Sequence, residues 1–129
     1  MGCTQSTLIR VEEAPGKGRG VFAVRDIPKG TLIERVPCLQ VPEPEIYGTE
    51  NETALASYAF GWDEDTVIIA LGYGSLYNHS YEPNATYYTD APLTQSYEAL
   101  RDIKAGEEIT INYTGDEDEN GDLHFEVLP

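Results

Sequence analysis

Cysteine is scarce in this 129-residue chain, with only Cys3 and Cys38 present. Neither a disulfide framework nor a zinc-cysteine cluster can be built from two cysteines alone. Basic residues are also few: 8 Lys and Arg stand against 23 Asp and Glu, for a net charge of −15. Such a surface repels phosphate backbones, which argues against direct nucleic acid binding, and it attracts basic polypeptides. The same charge also confers solubility, so by itself it does not choose a partner. No apolar run approaches the roughly 20 residues that span a bilayer, and no basic segment leads into an apolar one as in a secretory leader. A soluble, intracellular protein is expected, cytoplasmic or nuclear according to host, with a membrane partner disfavoured. The length suits one core and not two.

The chain resembles itself once. Ala23-Val24-Arg25-Asp26-Ile27-Pro28-Lys29-Gly30-Thr31-Leu32-Ile33 returns 76 residues later as Ala99-Leu100-Arg101-Asp102-Ile103-Lys104-Ala105-Gly106-Glu107-Glu108-Ile109, with six of eleven positions identical. Each copy reads as a strand, a tight turn and a second strand, so two related hairpins are expected to bracket the domain. Further strands are predicted at Leu8 to Val11, Gly20 to Val24, Thr66 to Leu71, Ala85 to Thr89 and Tyr97 to Leu100, all rich in β-branched and aromatic residues. The fold class is therefore mostly β. Pro37, Pro42 and Pro44 interrupt the stretch after the first copy, and Thr53 to Phe60 reads as a short helix packing Leu55, Tyr58 and Phe60.

Three motifs carry the functional signal, in this order: Gly16-Lys17-Gly18-Arg19-Gly20-Val21-Phe22, then Tyr77-Asn78-His79-Ser80-Tyr81-Glu82-Pro83-Asn84, then Gly106-Glu107-Glu108-Ile109-Thr110-Ile111-Asn112-Tyr113. The first lacks the final glycine of a dinucleotide fingerprint and the Gly-Lys-Ser/Thr of a P-loop. Together the three resemble the signature motifs of the SET-domain protein-lysine N-methyltransferases, closest to the minimal viral and bacterial SET proteins, over about Leu8 to Tyr113. The resemblance implies a β-clip-like SET domain of several small sheets, a knot-like core where the two closing motifs cross, and a short helical insert facing substrate. It divides the chain into a flexible N-terminus (1–7), a SET domain (8–114) and an acidic turn with C-terminal segment (115–129) that completes the cofactor pocket.

The implied reaction is methyl transfer from S-adenosylmethionine to a lysine amine. An in-line displacement at carbon needs a neutral amine aimed along a narrow channel, and neither a metal nor a covalent nucleophile. No metal is expected. Gly18, Arg19 and Gly20 present backbone amides with little side-chain crowding, and Lys17 or Arg19 adds charge for the methionine carboxylate. The resemblance assigns cofactor contact to this segment and to Tyr77, Asn78 and His79, with His79 mainly architectural. It assigns the catalytic hydroxyl to Tyr113, whose phenol hydrogen-bonds without giving up its proton at neutral pH. Tyr87 is a second wall of the lysine channel, and Ile111 stands where other relatives use an aromatic to limit methyl number. Tyr81 replaces a cysteine that is often a zinc ligand in the family. Phe125 is the nearest aromatic to close the cofactor pocket, a homodimer partner being the alternative.

The expected substrate is a basic, lysine-containing protein or peptide such as a histone or histone-like protein. The alternative is a catalytically weak SET-like module gripping basic tails, which only the enzyme's need for a cofactor pocket distinguishes. A serine hydrolase using Ser75 or Ser80 with His79 and Asp90 lacks the nucleophile elbow. Asp116 to Leu123 imitates the first half of a calcium loop, but Val127 stands where the closing glutamate belongs, so a solvated acidic turn is expected. Met1-Gly2-Cys3-Thr4-Gln5-Ser6 fits a myristoylation pattern, which the acidic body would oppose at anionic lipid.

Overall fold

The computed structural model describes residues 2–47 and 54–113. Along the chain lie β1 (Ile9–Ala14), β2 (Gly18–Ala23), β3 (Leu32–Pro42), α1 (Glu43–Tyr47), a 3-10 turn (Ala54–Tyr58), β4 (Ala59–Gly61), β5 (Thr66–Ala70), β6 (Asn78–His79), β7 (Ala85–Ala91), β8 (Thr94–Ala99) and β9 (Glu108–Ile111). Each strand predicted from β-branched and aromatic content is present, with its ends displaced by no more than three residues. Two sheets result, with strand orders β1-β2-β9-β6 and β4-β5-β3-β8-β7. Among the described residues no helix is long and apolar enough to cross a membrane.

The two self-similar segments are not hairpins. β2 does not pair with β3, nor β8 with β9; instead β2 pairs with β9 and β3 with β8, so each copy opens and interlocks with the other. The contacts come in related sets. Ile27 N donates to Ile103 O at 2.7 Å and Ile103 N returns to Ile27 O at 2.8 Å. Gly30 N donates to Ala99 O, and Gly106 N to Ala23 O, both at 2.8 Å. Asp102 accepts from Lys29 N at 2.8 Å and Asp26 from Ala105 N at 2.9 Å. Gly30 and Gly106 hold φ of 85° and 88°, a left-handed turn that other residues enter at a cost. The backbone groups of Ala23 and Ala99 that a hairpin would use are thus taken by the other copy. Ile27 and Ile103 are fully buried at the centre of this interlock.

The remaining core follows strand alternation. In β9, Ile109 and Ile111 are fully buried while Glu108 and Thr110 face the other way. Burying each such isoleucine contributes about 1.5–3 kcal/mol. β6 runs parallel to β9, with Asn78 opposite Thr110 and His79 opposite Ile111, and this brings the second and third motifs side by side. Asn84 ties them further: its Nδ2 donates to Glu108 O at 2.8 Å and its Oδ1 accepts from Thr110 N at 2.9 Å.

The five-stranded sheet curls until its two edge strands face each other. Phe60 of β4 meets Tyr87 of β7 edge-on, with ring centroids 5.2 Å apart. The helix expected over Thr53 to Phe60 is a single 3-10 turn that buries Ala56, not Leu55, which is 50% exposed, and Phe60 belongs to β4. Pairing of residues 59–61 with β5 wins over local helical preference because it satisfies the backbone at the sheet edge.

Candidate active site

Two cavities meet at Tyr113. The smaller, ≈230 Å³, is lined by Lys17, Gly18, Arg19, Leu76 and Asn78. The larger, ≈370 Å³, lies inside the curled sheet, and its walls include Tyr47, Phe60, Trp62, Tyr77, Tyr87 and Tyr88. Tyr58, Ser75 and Tyr113 line both.

Tyr113 is fixed at both ends of the residue. Its backbone N donates to His79 Nδ1 at 2.9 Å, and its hydroxyl donates to the backbone carbonyl of Tyr77. Burial, with smaller contributions from Tyr58, Glu108 and Tyr87, pushes the phenol well above its ordinary pKa, so it stays protonated at neutral pH. Its oxygen retains acceptor capacity while the proton is held by the carbonyl. His79 is 3% exposed and burial lowers its pKa, which favours the neutral ring whose Nδ1 accepts. Its Nε2 has no hydrogen-bond partner among the described residues, and the ring packs edge-on against Tyr81 at 4.4 Å. Tyr87 reaches the same place from the opposite edge, its hydroxyl 3.4 Å from Tyr113 O.

Behind the smaller cavity Glu108 organises two of its lining side chains. It pairs with Lys17 Nζ at 3.0 Å and accepts from Asn78 Nδ2 at 2.7 Å. The same Asn78 amide nitrogen donates to Arg19 O at 3.0 Å. A Cβ on Gly20 would lie 2.5 Å from Glu108 Oε2 and 2.8 Å from Asn78 Nδ2, so only glycine leaves room for this arrangement. The lining suits a zwitterionic ligand: cationic side chains and backbone amides for a carboxylate, the Asn78 amide oxygen for an ammonium.

Of the residues singled out from sequence, Lys17, Gly18, Arg19, Asn78 and Tyr113 share the smaller cavity, and Tyr77, Tyr87 and Tyr113 the larger. Gly20 and His79 sit behind the walls and set their shape. Ile111 packs in the core, fully buried on the inward face of β9, and is not among the lining residues of either cavity. Phe125 and the acidic turn lie outside the described residues. Ser75 Oγ donates to Ala70 O at 2.8 Å and Ser80 Oγ accepts from Glu82 N at 3.0 Å, so both hydroxyls serve local structure and neither is aligned with His79 as a nucleophile.

Sequence reasoning missed Tyr58 and Ser75 as shared walls, Phe60 and Trp62 as walls of the larger cavity, and Glu108 as the partner of Lys17. Glu108 had a signal, since it lies within the third motif on the face of β9 opposite the buried isoleucines. The aromatic run from Tyr58 to Trp62 was signalled only as part of an insert facing substrate, because reading Tyr58 and Phe60 as the packed face of a helix turned them away from the cavity they line.

Comparison with known proteins agrees with this geometry. The family model described as SET domain matches residues 18–114. The chain is 39% identical over 106 residues to the Schizosaccharomyces pombe histone-lysine N-methyltransferase specific for histone H3 lysine-37, covering 81% of this chain and 72% of that protein. Its fold matches the crystal structure of a Plasmodium falciparum protein proposed to be a histone methyltransferase, with a TM-score of 0.68 and 27% identity, over 85% of this chain and 94% of the other.

Proposed function

We infer that this chain, which belongs to the SET domain family, is a protein-lysine N-methyltransferase that uses S-adenosylmethionine and acts on a basic protein of the histone class. The observation that carries the reading is the junction of a polar cavity and an aromatic one at a single anchored phenol. When bound, S-adenosylmethionine supplies a methyl group on a positively charged sulfur. Arg19 and Lys17, with the backbone at Gly18, hold its carboxylate, and Asn78, ordered by Glu108, holds its amino-acid end. The aromatic cavity receives the lysine stem, which Tyr87 and Phe60 confine sideways.

Tyr113 stands where the two meet. Its oxygen accepts from the reacting groups and aligns them, while its own proton stays on the Tyr77 carbonyl. The lysine must arrive neutral, and Tyr113, protonated at neutral pH, does not take its proton, which leaves to solvent before transfer. Closure of the cofactor side is proposed for the segment 115–129 with Phe125, which lies outside the described residues, a homodimer partner being the alternative. The N-terminal segment expected to be a flexible tail lies against β3, where Thr4 bridges to Arg35 and Ser6 Oγ donates to Ile33 O at 2.7 Å, and the protein works inside the cell, in nucleus or cytoplasm.

Incubation with labelled S-adenosylmethionine and a panel of basic proteins, followed by mass spectrometry, tests the reading. Label on lysine of a histone or similar basic protein is expected. A chain that binds the basic protein but gives no heat with S-adenosylmethionine in calorimetry would instead be a peptide-binding module.

A further inference from the structure

Glu34 is a carboxylate on an inner face of the molecule, 6% exposed. The register of β3 against β8 shifts between Leu32 and Glu34, and this bulge breaks alternation so that Ile33 and Glu34 are both buried. Its two oxygens are spent on one short segment. Oε2 accepts from Tyr73 N at 2.9 Å, and Oε1 accepts from the Tyr77 hydroxyl at 2.8 Å. A Cβ on Gly72 would come within 2.8 Å of Oε2, so the turn lies close against the carboxylate. Between the two pinned ends, Gly74 O accepts from the Tyr97 hydroxyl at 2.8 Å, and the rings of Tyr77 and Tyr97 stack at 4.5 Å. The carbonyl of Tyr77 then holds the hydroxyl of Tyr113. Burial raises the pKa of Glu34, with the two hydrogen bonds opposing it, so its charge is held at an energetic cost that packing alone does not require.

We propose that Glu34 is a positioning residue for the reaction: by clamping Tyr73 and Tyr77 it fixes the carbonyl that aims the Tyr113 hydroxyl at the junction of the two cavities. It touches neither substrate nor cofactor. The inference rests on the methyltransferase reading above for its kinetic consequence, and on geometry alone for its effect on Tyr113.

Two variants test it. Glu34→Gln keeps one acceptor for Tyr73 N and turns an amide donor toward the Tyr77 hydroxyl, which must reverse its proton to meet it, so two charge-assisted bonds become one neutral bond and one of opposite direction. Tyr77→Phe removes one of the two bonds and keeps the ring stack. Each is expected to lower kcat on the order of tenfold, with peptide KM and cofactor affinity within about twofold, the pattern of a contact that matters for alignment. The double variant is expected to lose little more than the worse single one, because both act through the same link. In the free protein labelled with ¹³C-tyrosine, the Tyr113 ring signal, assigned by its disappearance in Tyr113→Phe, is expected to shift in both variants.

Folded variants with unchanged kcat, a loss confined to KM, or fully additive losses would overturn the role in the reaction. An unmoved Tyr113 signal would overturn the clamp itself. If Glu34→Gln does not fold, Tyr77→Phe carries both measurements. If the chain shows no methyl transfer at all, the functional reading fails while the NMR comparison still decides whether Glu34 holds Tyr113.

Discussion

One side of the smaller cavity is polar, with Lys17 and Asn78 beside Gly18 and Arg19 and both held from behind by Glu108, whereas the larger is walled by rings from five separate stretches of chain. The first recognises by placed donors and acceptors, which suits a ligand of fixed composition. The second recognises by shape and apolar contact, which suits a flexible lysine stem in variable surroundings. Tyr113 is common to both, so a change there should affect turnover, while a change on either side should affect one ligand and leave the other.

The largest effect is expected at the junction. Tyr113→Phe removes the one aimed hydroxyl and should lower kcat by a factor on the order of 10² or more, with cofactor affinity nearly intact. Steady-state kinetics beside calorimetry checks both halves, and full activity in this variant would falsify the assignment of the hydroxyl.

Next in size is Gly20→Ala. The added methyl collides with Glu108 and Asn78, and inserted methyls cost about 1–3 kcal/mol, so cofactor affinity should fall on the order of tenfold or more. Peptide binding should be unchanged, and if it weakens equally the two cavities are not separable.

Phe60→Ala makes the opposite test. It deletes the ring that meets Tyr87 across the mouth of the curled sheet, a contact worth about 0.5–1.5 kcal/mol beyond burial. Peptide KM should rise several-fold with cofactor affinity unaltered, as read from kinetics at saturating cofactor.

The smallest effect concerns pH. The native state favours neutral His79, so its contribution to stability is complete above the unfolded value of about 6.5 and is lost as pH falls through its lower folded value. Glu34 acts in the other direction, since its raised pKa makes the charged form unfavourable and acid relieves it. Both act on the wild-type melts, so the histidine is isolated by comparing a variant with the wild type between pH 7 and pH 5. His79→Asn, which keeps an acceptor for Tyr113 N, should lose less Tm over that interval than the wild type does, and parallel curves would show that His79 does not titrate there.

Much of the smaller cavity was legible in the sequence, because its parts are short motifs in which neighbours in the chain are neighbours in space. Gly18, Arg19 and Asn78 line it as expected, and Lys17 does so while paired with Glu108. The larger cavity was legible only at Tyr87 and Tyr113 and as an insert facing substrate, not in which rings of that insert form its wall. Tyr58, Phe60 and Trp62 face Tyr87 and Tyr88 only because a five-stranded sheet curls, and curl is a property of the whole sheet. Ile111 shows the same limit from the other side: its motif position suggested the channel, but the alternation of β9 turns it into the core.

The sequence by itself determined that the chain is mostly strands, that two segments are copies, and which motifs could meet a cofactor, since propensity, turn chemistry and motif spacing act over a few residues. Only the tertiary structure decided that the copies interlock instead of forming hairpins, that β6 and β9 lie side by side to set Asn78 against Glu108, and that Glu34 turns inward at a bulge to hold Tyr77. Those outcomes depend on hydrogen bonds between residues far apart in the chain, 30 positions for Asn78 and Glu108, 43 for Glu34 and Tyr77, and 76 for Ile27 and Ile103. Which partner satisfies a backbone group at such a distance is settled by packing of the whole core, and no local pattern encodes it.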